Sequence, residues 1–376
     1  MKITKLFQEF FKSEQIGGIF LITLTLVSIG LSNSTYHTPY FSLVNCRLFD
    51  IPLITIVNDG LMTIFFLMIG LELEREVYIG ELSRLKDAIL PTAAAIGGMV
   101  VPAFIYYLLT HNSQYSSGIG IPMATDIAFA LGVLTILGSR VPNSLKVFIT
   151  ALAVIDDLGA ILVIAIFYSD TISLYFIALS LVIWGVLFCF NRLRIHHFLP
   201  YLTGGIAMWH CVHSSGIHAT ISGVLVAFAL PFGDGSDQTI SYKLQKALHK
   251  PVSYVILPLF AMVNTAITLP SLSDLNTLPF FCFAIFLAMV IGKPIGITLF
   301  SYLVQKFFPK NVSPIKISSI IGAGILGGIG FTMSIFITVC AFSDPQTILF
   351  AKFAILISSL VSAIVGFLFL RSRLRI

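Results

Sequence analysis

SGIGIPMATD (residues 117–126) and GAGILGGIGFT (residues 322–332) interrupt two long apolar segments of the chain. Both stretches contain several glycines, and the first also contains Pro122. Glycine and proline destabilise the interior of a helix, and non-helical backbone survives within a membrane only where it is buried in protein or lines a cavity. The two stretches therefore predict a pair of discontinuous helices packed around a polar site.

The composition indicates that the whole chain is embedded in a lipid bilayer. Hydrophobic residues make up 57% of the 376 residues and charged residues only 10%, compared with about 25% charged residues in soluble domains. A transmembrane helix needs about 20 mostly apolar residues. We predict an all-α membrane protein in which residues 1–376 form a single integral membrane domain of twelve transmembrane helices. The predicted spans are 14–32, 53–78, 88–109, 117–138, 143–169, 171–190, 196–213, 216–231, 250–268, 278–304, 314–341 and 345–370.

The first residues of the chain have the pattern of an amphipathic helix. Ile3, Leu6, Phe7 and Phe10 recur at helical spacing, with lysines between them. This pattern is typical of a helix that lies in the membrane interface, and no small-residue cleavage site follows it. We predict an interfacial helix over residues 1–13.

Lysine and arginine, which are concentrated in the cytoplasmic loops of membrane proteins, alternate from loop to loop. Of the 22 basic residues, 19 fall at the two termini or in every second loop. The opposite side has only Arg47 and Lys352, and Lys293 lies in the middle of a predicted span. The alternation predicts that both termini are cytoplasmic. It also accounts for the net charge of +5 without a nucleic-acid partner.

Five charged residues fall inside predicted spans: Asp59, Asp126, Asp156, Asp157 and Lys293. An ionised side chain at the centre of a bilayer costs about 2.5–3.5 kcal/mol on insertion scales, so such residues persist mainly where they have a function. The last four lie at similar depth on three helices, which indicates one site. The alternative is a set of buried ion pairs that only fixes helix packing, but one lysine cannot neutralise three carboxylates.

The adjacent pair Asp156 and Asp157 is suited to exchanging a proton for a small cation. Adjacent side chains on a helix point about 100° apart, so one carboxylate can face a neighbouring helix and the other an aqueous cavity. Burial and a second carboxylate favour the protonated form of such a group, whereas a nearby cation favours the ionised form. A site balanced in this way holds either protons or Na⁺ or Li⁺. Lys293 fits the same scheme as a partner of Asp156, or else forms a bridge that only adds stability.

The interrupted helices add helix poles to this site. A half-helix that ends inside the membrane has a positive pole at its N-terminus and a negative pole at its C-terminus. Asp126 is placed to offset the former and Lys293 the latter, and the Thr125 hydroxyl is suited to an N-cap or an ion ligand. Paired interrupted spans are typical of transporters with inverted repeats, here about 88–169 and 278–370. For the glycines alone, the alternative is close helix packing.

The sequence closely resembles the NhaA family of bacterial Na⁺/H⁺ antiporters over nearly its whole length. Eight ordered blocks carry the resemblance: NDGLMTIFFLMIGLELERE (58–76), LPTAAAIGGMVVPA (90–103), IPMATDIAFALGVL (121–134), ALAVIDDLGA (151–160), SGIHATISG (215–223), ILPLFAMVN (256–264), GKPIGI (292–297) and GIGFTMSIFI (328–337).

This resemblance implies roles for the buried polar residues. In the family a pair of aspartates binds and exchanges the ion, which matches Asp156 and Asp157, and the second of the pair is the principal cation ligand. Asp126, Thr125 and Lys293 match the other ion- and proton-binding positions. The transported Na⁺ or Li⁺ is thus expected on Asp157 and Asp156.

The resemblance also implies the fold, the transport reaction and the location. The fold has inverted-topology repeats with crossed, discontinuous helices in spans four and eleven. Transport is electrogenic and pH-regulated, with more H⁺ entering than Na⁺ or Li⁺ leaving, and needs no cofactor. The chain is then a homodimer in the bacterial inner membrane. Its outer loop at about 33–52, which we predict to contain a short hairpin, is a candidate dimer contact.

Residues that match the pH-responsive region of the family are candidates for a pH sensor. They are Glu72, Glu76, Arg75, His218, Lys246 and His249. Each can equally be an ordinary interfacial charge or a hydrogen-bonded histidine.

Two departures from the family pattern change the charge at this sensor. Gln245-Lys246 stands where we expect a Glu-His pair, and Glu74 stands where we expect a basic residue. We therefore expect an activation pH that differs from that of relatives with the Glu-His pair.

Three other functions are less consistent with the sequence. Intramembrane aspartyl proteases need one aspartate on each of two helices, whereas Asp156 and Asp157 are consecutive on one helix. A sodium-coupled symporter needs a sizeable polar site for an organic solute, for which the spans offer few groups. A passive channel does not need a proton-competing site between broken helices. We predict a transporter and not an enzyme.

Overall fold

The computed structural model describes residues 5–48, 50–169, 172–233, 235–270, 278–308 and 315–374. For residues 5–15 and for Glu81, Leu85 and Ser139 only the backbone is described. The helices in chain order are α1 (Lys5–Ser32), α2 (His37–Val44), α3 (Leu53–Tyr78), α4 (Leu85–Thr110), α5 (Ile127–Leu137), α6 (Asn143–Phe167), α7 (Leu174–Arg192), α8 (Phe198–Ser214), α9 (Ile221–Ala229), α10 (Ile240–Pro251), α11 (Leu257–Asn264), α12 (Phe280–Phe307), α13 (Ile317–Gly327), α14 (Phe331–Ala341) and α15 (Pro345–Arg373). Within these described residues the regular structure is thus helical apart from one small hairpin, which agrees with the predicted all-α fold.

Each predicted span overlaps a helical segment, but the segments are not equally long. Seven described helices are long and apolar enough to cross a membrane, or nine if each of two bent pairs counts as one. Helix α9 has nine residues, so it is about 14 Å long, less than half of a hydrocarbon core of about 30 Å. Helix α10 begins at Ile240, before the predicted span at 250–268, and joins α11 through a π-helical turn, Val252–Ile256. The number of twelve spans stays a prediction.

Both predicted interruptions are present. The first segment starts as a 3₁₀ helix over Ser116–Met123, becomes extended at Ala124, and continues as α5 after Asp126. In the second, α13 and α14 meet at an angle of 46°. The two breaks touch, because the backbone N–H of Asp126 donates to the carbonyl of Ile329 at 2.7 Å. Backbone groups released by one break are therefore satisfied by the other.

The helices pack in two groups, which we call the first and second bundles. In the first bundle, α4 packs on α6 and α12, and α13, α14 and α12 pack on α15. In the second, α3 packs on α9 and α10, α7 on α8, and α1 on α11. The bundles meet where α1 packs on α5 and where α3 contacts α6. The first bundle contains both broken segments, and the assignment of residues 88–169 and 278–370 as repeats stays a prediction.

The outer loop contains more structure than the predicted hairpin. Arg47–Leu48 and Ile51–Pro52 pair as a two-stranded antiparallel ribbon, while α2 precedes it and lies at 120° to α1. Helix α1 runs unbroken from Lys5 to Ser32. The interfacial position of its first turns stays a prediction, because the side chains before Ile16 lie outside the described part.

Lys352, which the sequence analysis counted with the basic residues of the outer side, lies inside helix α15 and within the predicted span 345–370. The helix begins at Pro345, the predicted start of the span, and the carboxylate of Asp344 caps it by accepting hydrogen bonds from the backbone N–H and the hydroxyl of Thr347 at 2.8 and 2.6 Å. These bonds hold the pKa of the exposed Asp344 carboxyl below its usual value. Lys352 follows about two turns later, buried to 7% exposure. A lysine near the end of a span usually extends its ammonium to the interface, whereas this side chain is buried.

Glycine allows a close helix contact within the first bundle. Helices α4 and α12 approach at Gly97 and Gly296, where a Cβ on either residue would overlap the backbone oxygen of the other. Small residues permit such backbone contact in membrane proteins.

We therefore expect Gly296→Ala to lower the unfolding temperature of the purified protein in detergent. Alanine favours an isolated helix by up to about 1 kcal/mol over glycine, but overpacking costs about 1–3 kcal/mol, so the clash dominates. Gly185→Ala on α7 is the control, because a Cβ there meets open space. Equal thermal stability of the two variants would contradict the assigned contact.

Candidate ion-binding site

A buried hydrogen-bond chain joins the fourth segment, helix α6 and helix α12. The ammonium of Lys293 donates to the Thr125 hydroxyl at 2.6 Å, and this hydroxyl donates to Oδ2 of Asp156, also at 2.6 Å. Lys293 Nζ lies 3.3 Å from the same carboxylate oxygen. The carbonyl of Gly327, the last residue of α13, is 3.2 Å from the Thr125 hydroxyl. The ammonium is thus linked through Thr125 to the negative pole of a half-helix.

Asp126 caps two half-helices at once. Its Oδ1 accepts from the backbone N–H of Phe129 at 2.9 Å, at the start of α5. Its Oδ2 accepts from the backbone N–H and the hydroxyl of Thr332 at 3.0 and 2.5 Å, at the start of α14. The carboxylate therefore faces the positive poles of both helices, which stabilises a negative charge there.

Asp157 faces a different environment from Asp156. It lines a cavity of about 30 Å³, together with Thr125, Asp126, Thr332 and Glu72. A cavity needs about 10–15 Å³ of this kind of volume to hold one water, so the space accommodates one or two species of that size. The rest of the wall is mainly apolar. The cavity extends from the helix breaks along α3 toward its arginine-bearing end.

The site has an excess of carboxylates over cations. Asp126, Asp156 and Asp157 are each at most 3% exposed, and Lys293 is fully buried. One oxygen, Oδ1, of Asp156 and of Asp157 is buried without a hydrogen-bond partner among the described residues. Buried polar atoms are rarely left unpartnered. These two oxygens are therefore the free acceptors of the site.

The three carboxylates do not form a preformed metal cluster. Within the described ranges, no three His, Cys, Asp or Glu side chains converge closely enough to hold a metal ion. A cation next to Asp157 would thus be completed by hydroxyl, backbone or water oxygens.

The pH-response candidates are separated into three places. Glu72 lines the cavity. His218 lies between α8 and α9. Its Nδ1 is 3.7 Å from the Cys340 sulfur, and its ring packs on Phe336. Asp59, the remaining charge in a predicted span, lies near His218.

The other candidates lie around Arg75, where α3 meets α10. Arg75 donates to Oε1 of Gln245 at 3.2 Å and to the carbonyl of Gly235 at 3.1 Å, and its guanidinium lies 4.7 Å from the ring centre of Tyr242. The residue that departs from the family pattern, Gln245, thus forms a neutral hydrogen bond with Arg75. Glu74, the other departure, is buried, and its Oε2 has no partner among the described residues. Lys246 and His249 lie on the same helix, α10.

Sequence reasoning missed Thr332 and a second buried polar chain formed by Asn58, Asn264 and Lys352. Thr332 lies at the end of the quoted stretch 322–332, but a threonine in a helix usually bonds its own backbone. Asparagines are uncharged, so they do not stand out in apolar segments as buried charges do. The residues to which they hydrogen-bond are distant in sequence. Nothing in the local pattern distinguished them.

Comparison with known proteins shows what the chain is similar to. The sequence pattern of the family described as Na⁺/H⁺ antiporter 1 matches residues 8–370. The antiporter NhaA 1 of Flavobacterium johnsoniae is 52% identical over 375 residues, covering 99% of this chain and 98% of the relative. The antiporter NhaA of Flavobacterium psychrophilum is 53% identical over 372 residues, covering 99% and 97%.

A solved structure supports the fold. The sodium proton antiporter MjNhaP1 of Methanocaldococcus jannaschii superimposes with a TM-score of 0.52 over 95% of this chain and 99% of that one, at 14% sequence identity. At that identity the likeness concerns the fold alone. The sequence matches decide the family: the chain is a member of the NhaA family of Na⁺/H⁺ antiporters.

Proposed function

We propose that this protein is an electrogenic antiporter that exports Na⁺ or Li⁺ in exchange for a larger number of entering protons. The observation that carries the proposal is the arrangement of Asp156 and Asp157, one paired with Lys293 and the other facing the cavity. NhaA relatives that are about half identical over nearly the whole chain support the Na⁺/H⁺ exchange itself.

Asp157 is the proposed principal cation ligand. Its free Oδ1 lies in a site where Asp126, Thr125 and Thr332 line the same cavity. Na⁺ and Li⁺ are hard cations that prefer oxygen ligands, and one or two waters fit beside them. When the cation is absent, the buried carboxylate is neutralised by a proton, because an isolated buried charge is too costly. The same site therefore holds H⁺ or a metal ion, and this competition couples the two fluxes.

Asp156 and Lys293 are proposed to carry the second proton. Their contact at 3.3 Å is bridged by Thr125. Protonation of the carboxylate or arrival of a cation therefore changes the net charge of these three hydrogen-bonded side chains. Two carboxylates that each take up a proton while one cation leaves would make the exchange electrogenic. Asp126 remains hydrogen-bonded to both half-helices and is proposed to hold the two breaks together.

Alternating access then moves this site between the two sides of the membrane. We propose that the two halves of the first bundle are inverted repeats, with the broken segments crossing at the site in a twelve-helix protein. The loop charges support cytoplasmic termini in a bacterial inner membrane. The ribbon at Arg47–Leu48 and Ile51–Pro52 is the proposed contact of a homodimer.

We also propose that the cluster around Arg75 sets the pH at which transport begins. It joins α3, whose residue Glu72 lines the cavity, to α10, which carries Gln245 and Lys246. A change of charge on α10 can thus alter the position of α3. His218, on the other side of the protein, is proposed to act separately on the outer half.

The central experiment measures transport in everted membrane vesicles with a proton gradient and a ΔpH-sensitive dye. Na⁺ should collapse the gradient for the wild type, and Asp157→Asn should abolish that response, because the amide can neither ionise nor exchange a proton. Asp50→Asn is the matched control, since Asp50 is exposed in the outer loop. A full Na⁺ response of Asp157→Asn would overturn the assignment of the ligand.

Removing Lys293 tests its two proposed roles. We expect Lys293→Ala to lower the unfolding temperature, because breaking a buried pair costs up to about 3–5 kcal/mol. The pH profile of transport should move to more alkaline values, because the group that favours an ionised neighbour is lost. Lys306→Ala, at an exposed position of the same helix, is the control. Unchanged melting and an unchanged profile would refute both roles.

Restoring the family pattern on α10 tests the proposed sensor. Gln245→Glu with Lys246→His would turn the neutral Arg75 hydrogen bond into an ion pair and replace an exposed lysine by a group that titrates near neutral pH. We expect the activation pH to move while the maximal rate is retained. Lys243→His, one turn earlier on an exposed face of α10, controls for an added histidine. The sensor hypothesis fails if the double variant and the wild type have the same profile.

A further inference from the structure

Lys352 is a buried cation without an acidic partner in the described part of the chain. It is 7% exposed, and no carboxylate of the described residues lies within ion-pair distance of its Nζ. Its ammonium donates a hydrogen bond to Oδ1 of Asn264 at 3.2 Å. Removing a charge from water is costly unless the group is paired, so such a residue needs a function that a neutral side chain would not serve.

The hydrogen bonds of Lys352 connect the two bundles. Asn264, fully buried at the end of α11, donates through Nδ2 to Oδ1 of Asn58 at 2.8 Å and to the carbonyl of Phe260 at 3.0 Å. Asn58 lies in the π-helical turn of α3. Lys352 belongs to α15 of the first bundle, whereas Asn264 and Asn58 belong to the second. The chain Lys352–Asn264–Asn58 therefore crosses the boundary between the bundles.

The hydrogen-bond chain Lys352–Asn264–Asn58 lies on the outer side of the cavity. Along α11, Leu257 lines the cavity, Phe260 follows one turn later, and Asn264 one turn after that. Seven residues of helix rise by about 10 Å, so the polar chain is about 10 Å from the cavity. The basic residues of α10 precede this helix, which places its far end, with Asn264, toward the outside.

A layer of aromatic rings separates the cavity from the polar chain. Phe336 on α14 lies 5.4 Å from Phe66 on α3 and 6.3 Å from Phe260 on α11, measured between ring centres. All three side chains are at most 1% exposed. On α14, Met333 precedes this layer in the cavity wall and Cys340 follows it. The outer side of the cavity is therefore closed, and the layer again joins the first bundle to the second.

We propose that Lys352, Asn264 and Asn58 form an outer latch that keeps this aromatic layer closed while the ion site faces the cytoplasm. The proposal rests on the proposed antiport, in which the first bundle moves relative to the second. When the bundles separate on the outer side, the Lys352–Asn264 bond breaks and water enters to hydrate the ammonium. A charged group suits this position because it is stable either hydrogen-bonded in the closed state or hydrated in the open state, and these are the two states of a switch.

A native cysteine reports whether the outer side is open. Cys340 is partly exposed on the outer side of Phe336, and its sulfur, 3.7 Å from Nδ1 of His218, forms no disulfide. In a background with Cys46, Cys189, Cys211 and Cys282 replaced by serine, a cationic, membrane-impermeant methanethiosulfonate reagent is added to intact cells. The rate of Cys340 labelling then measures the fraction of open outer sides. The cells are first treated with a protonophore that collapses the proton gradient, so the measurement does not use the transport reaction.

We expect Lys352→Met to raise the labelling rate about fivefold, the change expected when the closed state loses one net hydrogen bond. Asn264→Leu should act in the same direction. Ser358→Ala is the matched control, because Ser358 is equally buried on α15 but bonds only the carbonyl of Ala354 in its own helix. If Lys352→Met does not reach the membrane, Asn58→Leu breaks the other end of the latch and is judged by the same criterion.

An unchanged labelling rate in the folded latch variants would overturn the latch. Faster labelling in these variants, with Ser358→Ala at the wild-type rate, supports it. The proposed antiport has a separate test, since its failure would appear as a wild-type protein that does not respond to Na⁺ in everted vesicles.

Discussion

One carboxylate allows two helices to break in the middle of an apolar protein. Asp126 accepts hydrogen bonds from the first turns of α5 and α14, and its own backbone N–H is bonded to Ile329 in the opposite break. Without such partners the released backbone groups would be unsatisfied at membrane depth, which hydrocarbon does not tolerate. The breaks in turn create the cavity and the helix poles that make a buried charged site possible.

The two aspartates of α6 divide the chemistry because adjacent helical residues cannot face the same surroundings. Asp156 is engaged by Thr125 and Lys293, whereas Asp157 faces the cavity. Asp156 is held by neighbouring side chains of other helices, and Asp157 has an oxygen free to take a ligand. Three ionised carboxylates and one ammonium leave two negative charges in the site, and under this proposal H⁺ or Na⁺ compensates them.

Two sets of contacts surround this site, one beside the cavity and one about 10 Å from it. Glu72 on α3 lines the cavity, and Arg75 on the same helix is hydrogen-bonded to Gln245 on α10. On the outer side, Phe336 and Lys352 hold the two bundles together. The contacts of Phe336 and Lys352 cross the boundary between the bundles, where a relative movement would be controlled, whereas the contact between Arg75 and Gln245 lies within the second bundle.

The sequence by itself determined the membrane environment, the interrupted helices and the buried charges, because each is a local contrast with an apolar surrounding. Asp126, Asp156, Asp157 and Lys293 were identified in this way without knowledge of their contacts. Only the tertiary structure decided that Thr332 binds Asp126, 206 residues away, and that Lys352 binds Asn264, 88 residues away. Thr332 and Asn264 are uncharged, and a lysine near the end of a span is ordinary, so none of them stands out in the sequence. Their roles depend on which helices pack together, and the periodicity of a single helix does not encode that.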